Sequence, residues 1–389
     1  MLSPYRAVLS RPGAAAFSGT GFVARLPMSM VGLGLVLLVS SVTGSYGLAG
    51  AVSAVFVAAN ALLAVVQGRL LDRLGQDRVL TALVLVFTGS LTLTMWSVQQ
   101  GWPHLVTYAG AALAGATLPA VGSCVRARWS HLLERPAEVQ TAYALESVVD
   151  EAVFMLGPVL VTVLATSWHP LAGLGSAVLA ALIGTLALAA QRATQPPPHP
   201  RRADGTRRPR MPWAPTGVLA AVALALGMLF GGAEVATVAF SEEQGSTRSS
   251  GILLALWAAG SLIAGLVTGV VRWRRGPAVR LRFGAAGLAI AMAPLTLVGS
   301  VPVMALALFV GGFAIAPTLI AMMSLVEQVV PRTRLVEGMA VIQTGLAGGV
   351  APGAAVTGAL VDAHGASTAY LVPALAGIAA ALLAHATPR

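Results

Sequence analysis

The chain has 389 residues, 57% of them hydrophobic and 10% charged, against about 25% charged in an ordinary soluble domain. A soluble fold of this length cannot hide so much apolar surface, and no alternating pattern of a membrane barrel is present, so helices crossing a bilayer are expected. The net charge of +10 rests on 24 basic residues that are all Arg; without Lys the chain has neither a Walker-type phosphate loop nor a lysine-linked chromophore.

Span 1 is predicted over 17–41 and carries Arg25. It follows Arg6 and Arg11 as a signal peptide's apolar core would. It is too long for that role and lacks an Ala-x-Ala exit, so it is read as a retained span. Spans 2, 3 and 4 are placed at 48–70, 79–98 and 105–125, with "GRLLDRLG" (68–75) closing span 2. Span 4 reads "LVTYAGAALAGATLPAVGSCV": it has no charge, and its single Cys124 is a small core residue. Span 5, 141–165, contains "YALESVVDEAVFMLGP", with Glu146, Asp150 and Glu151 inside an apolar run. Span 6 covers 170–190.

Residues 191–215 are rich in Pro and Arg and have no apolar face, so an extended linker is expected there. Six more spans follow at 216–240, 251–271, 281–298, 301–326, 335–361 and 367–386. The halves echo each other. "GVVRWRRG" (269–276) follows span 8 as "GRLLDRLG" follows span 2, and Pro119 and Pro158 return as Pro317 and Pro352 at similar offsets. Two parallel six-helix repeats are implied, 1–190 and 216–389. With the amino terminus inside, 22 of the 24 arginines fall in inner segments. Only Arg248 lies outside and Arg25 within a span. The positive-inside rule therefore predicts twelve spans with both termini cytoplasmic, in a cytoplasmic (inner) membrane.

These features resemble the major facilitator superfamily across the whole chain. The family signature Gly-x-Leu-x-Asp-Arg-x-Gly is matched by Gly68, Leu70, Asp72, Arg73 and Gly75. Gln76 and Asp77 stand where the family has basic residues, and Arg78 follows. Gly157 and Pro158 match the Gly-Pro core of the family's drug/proton antiporter motif, while the basic residue that many proton-coupled members keep in span 4 is missing. "ARLPMSM", the span 5 acids and "EVATVAFSEEQG" are similar to transporters of high-GC bacteria. The resemblance implies two pseudo-symmetric bundles and alternating access. It gives Gly68, Asp72, Arg73, Gly75 and Arg78 a gating role at the inner face.

An ionised group at the bilayer centre costs about 3 kcal/mol on insertion scales. Arg25, Glu146, Asp150, Glu151 and Glu234 carry that burden. Glu146 is expected about 8 Å into span 5, meeting inner arginines such as Arg73 or Arg126 and so belonging to the gate. Arg25, read as the only buried cation, is expected to pair with Asp150 or Glu151, because spans 1 and 5 are neighbours in the resembled fold. The remaining acid and Glu234 then form an anionic cavity able to take up a proton or a cationic solute. Gly231 and Gly232, just before Glu234, serve close helix packing or loosen span 7.

The function expected is secondary transport of a small organic solute, as proton-coupled export; import of a metabolite is the alternative. A membrane-embedded enzyme would need a cluster of His, Asp or Cys at one face, and none is seen. No catalytic residue, metal, cofactor or nucleic-acid partner is called for. Solute, protons and lipid are the partners, and a monomer is expected.

Overall fold

The computed structural model describes residues 3–198, 209–245, 247–271 and 273–387. Its helices are α1 (Ser3–Leu9), α2 (Ala14–Thr43), α3 (Tyr46–Leu74), α4 (Gln76–Gln99), α5 (His104–Thr117), α6 (Val121–Leu132), α7 (Pro136–Ser167) and α8 (Pro170–Ala190). The second half has α9 (Trp213–Glu243), α10 (Thr247–Thr268), α11 (Pro277–Met292), α12 (Val301–Gly312), α13 (Ile315–Val329), α14 (Leu335–His364), α15 (Ala366–Ala369) and α16 (Leu371–His385). There is no strand among the described residues. Twelve helical stretches are long and apolar enough to cross a membrane, each matching one expected span. The twelve-helix membrane fold read from the sequence is therefore the fold of the protein.

Among the broken spans are the fourth and the tenth, and proline explains where. Pro119 lies between α5 and α6, and the residue before it, Leu118, takes φ −56° and ψ 116°, the extended conformation that a following proline imposes. In the second half Pro317 sits in the first turn of α13, just past the break after α12. Pro158 and Pro352 lie inside the unbroken α7 and α14. The proline echoes thus fall at similar places in the helices of the two halves.

By compactness the chain divides into two units. The first comprises Met1–Tyr5, Arg135–Val148 and Pro209–Arg389, and the second Arg6–Glu134 and Val149–Arg208. In the second unit Met30, Leu35, Leu38, Phe56, Phe87 and Leu91 are buried in one apolar cluster. In the first unit α9 and α14 meet through small residues. A Cβ on Gly231 would stand 2.2 Å from the Val350 carbonyl oxygen, and one on Gly353 2.3 Å from that of Met228. Lipid offers no hydrophobic drive to hold helices together, so such close backbone approach supplies the packing. Close packing, not loosening, is thus the role of Gly231.

Residues 191–195, expected at the start of an extended linker, are tied down at Gln191 and Thr194. Thr194 is buried, and the Arg128 guanidinium donates to the Gln191 carbonyl at 2.8 Å and to Thr194 Oγ1 at 2.8 Å. The middle of that segment, 199–208, lies outside the described residues.

Candidate functional site

Within the second unit the charged centre of the sequence is a three-residue group. Arg25 Nη1 donates to Asp150 Oδ1 at 2.7 Å, and Arg126 Nη2 donates to Asp150 Oδ2 at 2.5 Å. Each arginine also turns back on its own helix. Arg25 Nε donates to the Gly21 carbonyl at 3.0 Å, and Arg126 Nη1 to the Gly122 carbonyl at 3.3 Å. Glycine four residues before each arginine keeps that carbonyl clear and brings α2 close to α6: a Cβ on Gly21 would lie 2.7 Å from Val125 Cγ2. Both arginines are buried, at 3% and 5% exposure, so the carboxylate answers two charges that water does not reach.

Asp150 is thus a partner of Arg25, as one of the two sequence alternatives had it. Two other expectations are corrected. Arg126 does not lie in an inner loop awaiting Glu146: helix α6 carries span 4 on to Leu132, and Arg126 turns to Asp150. Nor is Arg25 the only buried cation, since Arg126 and the fully buried Arg128 lie in the same α6 turns. Glu151, next along α7, is half-buried. Glu146 is fully buried, and because α7 begins at Pro136 it lies about 15 Å into its helix, not 8 Å.

Below this group α2 and α7 stay in close contact. Ser29 Oγ donates to the Val153 carbonyl at 2.8 Å, and a Cβ on Gly157 would stand 1.9 Å from that same Oγ. The glycine of the Gly-Pro pair therefore lets span 5 lie against span 1.

The signature turn between α3 and α4 is closed by Gly75, whose φ of 93° and ψ of 152° suit only glycine. Gly68 and Asp72 are buried, Arg73 is half-buried and Arg78 exposed. The departure at Gln76 and Asp77 has a structural use. Gln76 Oε1 accepts from Arg128 Nε at 2.7 Å, and Gln76 Nε2 donates to the Cys124 carbonyl at 3.2 Å. Asp77 pairs with Arg192 at 3.2 Å, and its backbone N–H donates to Gln195 Oε1 at 3.0 Å. Arg128 adds a bond to the Leu188 carbonyl at 3.0 Å, so one guanidinium joins the start of span 3, the end of span 4 and the end of span 6. Sequence reasoning missed this junction because polar residues after a span read as loop.

Within the first unit Glu234 lies nine residues before the end of α9, about 14 Å along the helix axis. It is exposed, and it has no salt bridge or hydrogen-bond partner among the described residues. Gly227 and Gly231 on one side pack against α14, while Phe230 on the other packs against α10. Glu234 falls between these two stripes.

No group of three or more His, Cys, Asp or Glu able to hold a metal is found among the described residues. Residues 17–301 match the family profile of the Major Facilitator Superfamily. The chain belongs to that superfamily. No curated protein matches it. Among solved structures the transporter is similar to the human organic anion transporter MFSD10 (TETRAN), at 17% identity and a TM-score of 0.75, over 96% of this chain and 100% of that one. It is similar to a bacterial homologue of the iron transporter ferroportin in an outward-facing state, at 12% identity and a TM-score of 0.78, over 96% and 98% of the two chains. The E. coli fucose:proton symporter FucP matches at 15% identity and a TM-score of 0.70, over 97% and 98%. At these identities the likeness establishes the fold.

For a superfamily transporter the expected site residues divide by environment. Arg25 and Asp150 come together with Arg126 in the second unit, at the Gly-x-x-x-Arg turns of α2 and α6. Glu234 stands in the first unit with a carboxylate that nothing described there neutralises.

Proposed function

We propose that this superfamily member is a secondary active transporter that exports a small organic solute in exchange for protons across the cytoplasmic membrane. The alternating distribution of arginines supports cytoplasmic termini. The observation that carries the coupling is Glu234, an acid in mid-span with no partner among the described residues. An acid placed there is retained against its insertion cost by function. Asp150, held on both oxygens by arginine, serves to fix α2, α6 and α7. Glu151 is the second candidate for proton exchange. Gly68, Asp72, Arg73, Gly75, Arg78 and Glu146 work the inner gate, where charge pairs differ between inward- and outward-open states.

The experiment is a thermal-shift screen of small organic compounds across pH, followed by transport of each stabilising compound in proteoliposomes. With an imposed pH gradient the wild type accumulates the compound against its concentration. Glu234→Gln only equilibrates it. Accumulation that survives collapse of the gradient, or that persists in Glu234→Gln, contradicts the reading.

A further inference from the structure

Glu234 does not stand alone on its face of α9. Phe230 precedes it by four residues, so the two side chains are neighbours on the helix surface. Phe230 meets Trp257 of α10 edge to face, with ring centroids 5.8 Å apart and planes at 64°. Trp257 is only 8% exposed, yet its buried indole N–H meets no acceptor among the described residues. A buried indole ordinarily finds a partner. Without one, no hydrogen bond fixes this ring. The α10 backbone at this point is held by contact: a Cβ on Gly312 would lie 2.2 Å from the Trp257 carbonyl oxygen. The ring is thus carried on a fixed backbone.

We propose that Glu234, Phe230 and Trp257 form a recognition site for a small organic cation of the substituted-ammonium class. This rests on the reading of Glu234 as the coupling acid and names the solute that competes there with the proton. The carboxylate answers the charge, and the aromatic pair answers the alkyl groups around it, whose positive surface is drawn to a ring face. A metal ion fits poorly. Hard divalent cations take six or more oxygen ligands and softer ones take grouped His or Cys, whereas the described residues hold no group of three or more metal-binding side chains.

The test uses the purified full chain in detergent with two molecules of nearly identical shape, benzyltrimethylammonium and neopentylbenzene, its uncharged carbon isostere. Titration calorimetry is expected to show saturable binding of the ammonium, with the hydrocarbon about tenfold weaker or more. Glu234→Gln lowers ammonium affinity about tenfold and leaves the hydrocarbon unchanged. Trp257→Leu weakens the ammonium about fivefold, while Trp257→Phe, which keeps a ring face, retains most of it. Each variant is first matched to wild type in melting temperature and elution volume. Equal affinity for the two molecules, no saturable ammonium binding, or an unchanged affinity in Glu234→Gln overturns the proposal. Detergent binding needs no gradient, so the two readings fail separately. Gradient-driven accumulation without ammonium binding removes the cation class alone. Ammonium binding with gradient-independent transport removes the coupling alone.

Discussion

Asp150 holds a guanidinium on each oxygen, which makes the consequences of substitution unequal around the group. Arg25→Ala leaves Asp150 with Arg126, so the carboxylate keeps a partner and the charge-assisted bond lost from it is worth about 1.5–3 kcal/mol. Asp150→Ala takes the shared carboxylate from two buried guanidiniums, leaves Arg126 without its acid, and costs more, about 3–5 kcal/mol. The pair Arg25→Ala with Asp150→Ala still strands Arg126, and the triple variant with Arg126→Ala removes that charge as well. Melting temperatures in detergent are expected to fall in the order Arg25→Ala, then Asp150→Ala, with recovery in the triple variant; an Arg25→Ala loss equal to that of Asp150→Ala counts against the two-arginine account. The acid was visible in the sequence because a charge among apolar residues is costly and rare. Its second partner was not. Gly21-x-x-x-Arg25 and Gly122-x-x-x-Arg126 share a spacing that only the helix at 121–132 makes meaningful, and hydropathy alone ends span 4 at Val125.

At the scale of elements, packing between helices decides which glycines matter. Gly231 of α9 sits against the α14 backbone, where a Cβ would be 2.2 Å from the Val350 carbonyl oxygen. Gly217 on the same helix has nothing within 4 Å of that position. Gly231→Ala is expected to cost about 1–3 kcal/mol through forced separation of α9 and α14. Gly217→Ala is expected to be neutral or to stabilise by up to about 1 kcal/mol, since Ala restricts the unfolded chain and favours helix. Thermal unfolding of the two variants side by side checks this, and equal effects would refute it. The spans themselves were legible, because about 20 apolar residues are needed to cross a bilayer and each run supplied them. Their ends were less so. Helix α7 starts at Pro136 instead of 141, and α14 runs to His364 instead of 361, because hydrogen-bonded turns continue past the apolar run into polar sequence. The anchoring of Gln191 and Thr194 was hidden for a related reason: it depends on Arg128, distant in sequence.

For the whole molecule, superfamily membership and twelve crossing helices place it among transporters, and the central claim concerns what Glu234 exchanges. If solute and proton compete for one carboxylate, solute binding must expel a proton. The direct measurement is proton release into weakly buffered solution, read with a pH indicator, when a stabilising solute is added to the purified protein in detergent near neutral pH. The account predicts release that saturates with solute in the wild type and vanishes in Glu234→Gln while that variant keeps its wild-type melting temperature. Solute binding with no proton released, or the same release from Glu234→Gln, would contradict it.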